Sequence, residues 1–163
     1  MHEFPAHAID LSPLTVDRLG DIRRFLQSTL SSLGCAGAVD PLVLAVDEVC
    51  ANLAEHGTFD GAPPGPVRVT VRREGIDAVI VVEDEGPPFD PADAPPPDLD
   101  TDWQDRRIGG LGWFLVRQMV DELHYDSNTD PVHSGATPTA PRWSNRLTLI
   151  KRGAADAAPS GPG

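Results

Sequence analysis

Positive charge is scarce in this chain: 13 Lys and Arg stand against 25 Asp and Glu, for a net charge of −12. Affinity for DNA or RNA rests on basic side chains neutralising phosphates, so a nucleic-acid-binding surface is excluded. No apolar run approaches the ~20 residues of a membrane helix, and no basic-then-apolar leader opens the sequence. Those absences lead us to expect a soluble, cytoplasmic protein. Cysteine is limited to Cys35 and Cys50, with no CxxC pair and no Cys/His cluster. A disulfide framework and a thiolate zinc site are thereby excluded, and Cys50 reads as a small buried apolar residue. The five histidines are scattered without an HxH or HxxxH spacing, which argues against a histidine metal centre. Internal repeats are absent too. What is present is 163 residues, 40% of them hydrophobic, enough for one domain with an ordinary core.

The acidity is concentrated. Between Asp84 and Asp105 lie eight acids, no Lys or Arg, and six of the seventeen prolines. Proline at that density forbids a regular helix or a central strand. An irregular stretch between two well-patterned elements fits either a functional lid, placed at about 87–108, or an inert surface loop.

The patterning elsewhere is clearer. Residues 2–9 alternate weakly and suit an edge strand. Leu19, Ile22, Phe25, Leu26, Leu30 and Leu33 recur at three and four, which predicts an amphipathic helix over 14–33 stopped by Gly34. Asp40-Pro41 reads as an N-cap and first helical residue of a second helix, running to His56-Gly57. Val67, Val69 and Val71 alternate with polar residues, and 78–82 is a β-branched run, with a hairpin connection at Gly75-Ile76-Asp77. A third helix opens at Gly109-Gly110-Leu111-Gly112, with Leu115, Val116, Met119, Val120 and Leu123 as its stripe. Residues 126–142 read as a long polar loop, 146–151 as a final strand and 153–163 as a disordered tail. A hairpin directly after two helices implies a mixed, largely antiparallel sheet. The expected fold is a two-layer α/β sandwich with helices on one face, spanning 1–152.

Three sites carry possible chemistry. Glu48 and Asn52 are four apart on one helix face. An amide oxygen is a hard, neutral ligand for Mg²⁺, and a carboxylate one turn away can deprotonate a nucleophile; a solvated helix face fits the same pair. His56 sits where a cap or dipole partner is usual. Asp84-Glu85-Gly86 ends the apolar strand, where a carboxylate can accept from an exocyclic amine and Gly86 can admit a flat ring; a plain strand exit fits equally. Gly109 to Gly112 begins a helix, either as an anion site of free N–H groups or as a tight turn. It is neither a Walker loop nor a GxGxxG after a strand. Arg106 and Arg107 either touch phosphates or balance the acids.

Taken together and in this order, the three resemble the boxes of the Bergerat-type (GHKL) ATP-binding domain. Within it, the similarity is to the stand-alone anti-sigma-factor serine kinases, over roughly residues 4–151. "DPLVLAVDEVCANLAEHG" resembles the first box, which implies Glu48 as general base and Asn52 as magnesium ligand. "VEDEGPPFDP" is similar to the second, which implies Asp84 on the adenine amino group and Gly86 under the base. "IGGLGWFLVRQMVDEL" resembles the third, with Gly110, Leu111 and Gly112 at the phosphates, and "RLTLIKR" the closing strand, with Thr148 near the adenine.

The sequence shows no phospho-acceptor helix, receiver or transducer domain, so a free-standing module is expected. The resemblance then implies an ATP- and Mg²⁺-dependent serine kinase that phosphorylates a STAS-type anti-anti-sigma protein, sequesters a sigma factor and forms a homodimer. The rival is a nucleotide-binding module that sequesters its partner and transfers no phosphate. Three features depart from the family pattern: a short, acidic, proline-rich lid, Trp113 where a smaller aliphatic residue is usual, and the length of the 126–142 loop.

Overall fold

Valines at every second position build the central sheet. In the computed structural model, which describes residues 4–57, 61–94, 108–127 and 143–156, strand β2 (Val67–Glu74) buries Val67, Val69 and Val71 on one face. A turn at Gly75, whose φ of 61° favours glycine, returns the chain as β3 (Asp77–Asp84). Strand β1 (His7–Leu11) pairs with β2 at one edge. Beyond β3 lie β5 (Asn145–Lys151) and then β4 (Glu122–Ser127), giving the order β1-β2-β3-β5-β4 with every pairing antiparallel.

Three helices cover one face. Helix α1 (Leu19–Ser32) buries Leu19, Ile22, Leu26 and Leu30. Helix α2 (Val39–His56) buries Leu42, Ala45, Val46, Val49 and Cys50. Helix α3 (Ile108–Met119) lies against α2 and buries Val116. Their apolar stripes meet Val69, Val71, Ile80, Val82 and Leu149 in one continuous core. Cys50 is part of it, and burial, with Asp47 and Asp84 adding to it, pushes its thiol up to about 12. The other face carries a row of alternating charge across all five strands, Asp10, Arg68, Glu83, Arg146 and Asp126 in register. Arg68 donates to Asp10 at 2.6 Å and Arg146 to Glu83 at 3.1 Å. This is the two-layer sandwich that the patterning predicts. Among the described residues, no helix is long and apolar enough to cross a membrane.

Four local expectations are corrected. Helix α2 starts at Val39, not at Pro41, so Pro41 sits at the third helical position. N–H groups of the first turn have no intrahelical acceptor, so proline is tolerated there. Residues 14–18 are not part of α1; a single 3₁₀ turn, Val16–Arg18, precedes it. Helix α3 ends at Met119, and Leu123 belongs instead to β4, which also takes residues 126 and 127 from the expected loop. Residues 153–156 are not a free tail. The Ala155 N–H donates to the Ile76 carbonyl, the Asp156 N–H to that of Gly34, and Ala154 is buried in the core. The remaining tail (157–163), the loop from 128 to 142 and the lid from 95 to 107, with Arg106 and Arg107, lie outside the described residues.

Candidate nucleotide-binding site

A cleft of about 500 Å³ opens between the C-terminal half of α2 and the ends of β3, β5 and β4. Val49, Asn52, Leu53 and His56 form its helical wall, and Val82, Asp84, Asn145 and Leu147 its floor. The proline-rich segment after β3 supplies Pro87, Pro88, Phe89 and Pro91, and α3 contributes Trp113. The lining is largely apolar, with a few polar groups converging at one end, the usual make-up of a small-molecule site.

Asp84 is that polar end. It is 9% exposed, on the helix side of the last residue of β3. Its Oδ1 accepts from the Gly86 N–H at 2.8 Å and from Asn145 Nδ2 at 2.9 Å. Burial raises its pKa, and those two donors work in the opposite direction. Gly86 adjoins that end of the cleft, half-buried, with its N–H on Asp84. The backbone packing requires glycine there: a Cβ would overlap the carbonyl oxygen of Gly57, where the end of α2 touches the turn after β3.

Glu48 and Asn52 project from one face of α2, as the four-residue spacing requires. Gly112 of α3 is buried against both. A Cβ on Gly112 would stand 3.0 Å from Glu48 Oε2 and 3.5 Å from Asn52 Nδ2. The first and third sequence boxes therefore touch. Asn52 also lines the cleft, whereas Glu48 lies one turn back and does not. Burial raises the pKa of Glu48, with Asp47 and Glu55 adding to it. Asn52 Nδ2 is buried without a hydrogen-bond partner among the described residues. That unspent N–H₂ can donate to a phosphate oxygen, and the amide oxygen beside it is the hard, neutral donor that Mg²⁺ takes, so Asn52 fits a phosphate–Mg²⁺ group. Gly110 and Leu111 belong to the opening turns of α3. His56 is exposed, 3.7 Å from Glu55 Oε2, and borders the cleft.

Thr148 is not part of the site. On β5, Asn145, Leu147 and Leu149 face the helices, so Thr148 falls on the opposite face, between Val81 and His124. The period-two rule makes Leu147 and Asn145 the cleft residues of that strand.

Sequence reading passed over Asn145, Tyr125 and Phe89. Tyr125 Oη accepts from the Phe89 N–H at 2.9 Å and donates to Asn145 Oδ1 at 2.7 Å. Phe89 stacks on Trp113 with ring centroids 5.8 Å apart, and Arg117 donates to the Pro91 carbonyl at 2.6 Å. The first part of the proline-rich segment is thus fastened over the cleft from β4 and α3. The one available signal was compositional: Tyr125 is the only tyrosine in the chain.

An α/β sandwich with a largely apolar cleft, a buried acid at its floor and a glycine-relieved helix contact at its wall has the make-up of a small-molecule-binding protein. Residues 12–134 match the histidine kinase-like ATPase domain, and the chain belongs to that family, whose nucleotide is ATP. It is 29% identical over 140 residues to a serine-protein kinase RsbW of Bacillus licheniformis, covering 83% of this chain and 84% of that one. A serine-protein kinase RsbW of Listeria monocytogenes is 32% identical over 101 residues, 58% of this chain and 64% of the other. The serine/threonine-protein kinase BtrW of Bordetella bronchiseptica is 30% identical over 84 residues, 52% of this chain and 58% of the other.

Proposed function

We propose that this protein is an ATP-dependent serine kinase acting on a STAS-type anti-anti-sigma protein, and that it also sequesters a sigma factor in the cytoplasm. The observation that carries the reading is the contact of Gly112 with Glu48 and Asn52, beside the cleft that Asp84 floors. Likeness over most of the chain to a serine-protein kinase supports the same conclusion.

In this reading Asp84 accepts from the exocyclic amine of adenine, and the apolar walls pack against the ring. The start of α3, with Gly110, Leu111 and Gly112 in its opening turns, faces the phosphates, and its first N–H groups, up to that of Gly110, are the ones without an intrahelical acceptor. Asn52 holds Mg²⁺, which when bound neutralises charge on the phosphates. Glu48 takes the proton from the serine hydroxyl as its oxygen bonds to the γ-phosphorus and the bond to the ADP oxygen breaks. Such transfer depends on positioning and electrostatics more than on covalent chemistry by the protein. The raised pKa of Glu48 suits a base, because a more basic carboxylate takes a proton more readily.

Incubation with γ-labelled ATP, Mg²⁺ and a purified anti-anti-sigma protein tests this directly. Label should appear on serine of the partner. ATP binding without any transfer would select the sequestering module instead.

A further inference from the structure

Outside the sequence boxes, Asn145 meets Asp84 at the floor of the cleft and Tyr125 stands behind Asn145, and the polarity of their contacts is fixed. The Phe89 N–H, which can only donate, points at Tyr125 Oη at 2.9 Å. The tyrosine hydroxyl therefore spends its own proton on Asn145 Oδ1, 2.7 Å away. With its oxygen taken, Asn145 turns Nδ2 toward Asp84 Oδ1 at 2.9 Å, and toward the carbonyls of Gly86 and Pro87 at 3.0 and 3.2 Å. Two hydrogens serve three acceptors, and Pro87 has the longest contact.

The consequence falls on Asp84. Its Oδ1 holds two donors, Asn145 Nδ2 and the Gly86 N–H. Among the described residues Oδ2 has none, so it is the oxygen with capacity left for a ligand. Against the burial that raises its pKa, those two hydrogen bonds favour the charged form of Asp84. A carboxylate held charged accepts and never donates.

We infer that Tyr125 and Asn145 are positioning residues that select the purine, locking Asp84 as a pure acceptor so that the cleft takes a 6-amino purine and rejects a 6-oxo one. In the same pose, a 6-oxo purine sets its carbonyl oxygen against Asp84 Oδ2, two acceptors facing each other with no proton between them. The inference rests on the reading of Asp84 as the base contact. It adds that Asp84 discriminates only while the relay behind it is intact.

The test is titration of ATP and ITP into the native protein, Tyr125→Phe, Asn145→Ala and Asn145→Asp, with thermal melts as a folding check. The quantity read is the ratio of the two affinities within one sample. Partial unfolding lowers both affinities alike and leaves that ratio untouched, so a merely structural role cannot move it. The native protein should prefer ATP by at least about tenfold. Tyr125→Phe should shrink the ratio by about threefold, and Asn145→Ala by about tenfold. Asn145→Asp, which keeps the shape but sets a second acid beside Asp84, should bring it near unity. Unchanged ratios in variants that still bind ATP would overturn the relay and leave the adenine reading standing. A native protein that binds ATP and ITP equally would overturn the adenine reading, and the relay with it.

Discussion

Gly112 of α3 stands so close to Glu48 of α2 that a single added methyl would lie 3.0 Å from the carboxylate Oε2. That contact brings together the acid proposed as base and the helix start proposed to meet the phosphates. The atom in the way is the far end of a flexible side chain, so the acid can give way while the fold stays.

The contact separates stability from activity in Gly112→Ala. Alanine in a helix interior is favoured over glycine by roughly 0.5–1 kcal/mol. Displacing a carboxylate by a few tenths of an ångström offsets part of that. The melting temperature should therefore hold or rise slightly. Phosphoryl transfer, which depends on where Glu48 points, should fall by about tenfold or more. Full activity in a folded Gly112→Ala protein would show that transfer does not depend on where this contact holds Glu48.

Glu48 also sets a pH dependence. Burial first, then Asp47 and Glu55, raises its pKa above the usual glutamate range. A general base must be unprotonated, so transfer should decline as pH falls through this raised value, earlier than for an ordinary glutamate. Asp47→Asn removes one of the neighbouring charges and should shift the acid limb of kcat/KM to lower pH. Arg23, which donates to Asp47 at 2.6 Å, already offsets part of that charge, so the movement should be small but of fixed sign. Glu48→Ala should bind ATP normally and transfer no phosphate. A profile that keeps its acid limb in Glu48→Gln would assign the limb to another group.

Much of this was legible in the linear pattern because the informative signals are local. Helical spacing placed Glu48 and Asn52 on one face, alternation placed Val67 to Val71, and the glycines marked the start of α3. What was missed is non-local or too short to announce itself. Strand β4 has only six residues, four of them polar, and pairs with β5 across the intervening loop. Its Leu123 continued the apolar spacing of α3, so the helix was read too long. Asn145 owes its role to a hydrogen bond spanning 61 positions, which no window of neighbours reveals. Thr148 was misplaced by one residue, and in a strand one residue is the other face. At Gly86 the residue type was noticed, but its partner, the Gly57 carbonyl, lies on another element.

Asp84→Asn should separate binding from folding. An asparagine oxygen can still accept from the Gly86 N–H and from Asn145, and a neutral group is cheaper to bury than a carboxylate. Because burial raises the folded-state pKa of Asp84, its protonation stabilises the native protein fully below the unfolded value. That contribution is lost as pH rises through the folded value. The variant lacks this titration, so its stability relative to native should improve with rising pH. ATP affinity should drop by at least about tenfold, since an amide N–H₂ now opposes the adenine amine. Calorimetric titration alongside melts at pH 5 and 7.5 checks both halves. Undiminished affinity would contradict the adenine assignment.

Asn52 offers the clearest test of the metal. Its Nδ2 is buried without a partner among the described residues, so truncation there costs the fold no hydrogen bond from that nitrogen. Asn52→Ala should therefore melt within a few degrees of the native protein. If its amide oxygen holds Mg²⁺ against the phosphates, the native protein should bind ATP more tightly in Mg²⁺ than in EDTA. That gain should shrink or vanish in the variant, while binding in EDTA is much the same for both. Since transfer requires phosphate charge to be neutralised at the moment it redistributes, activity should fall by about a hundredfold or more. A variant that keeps the whole magnesium-dependent gain would place the ion on other ligands.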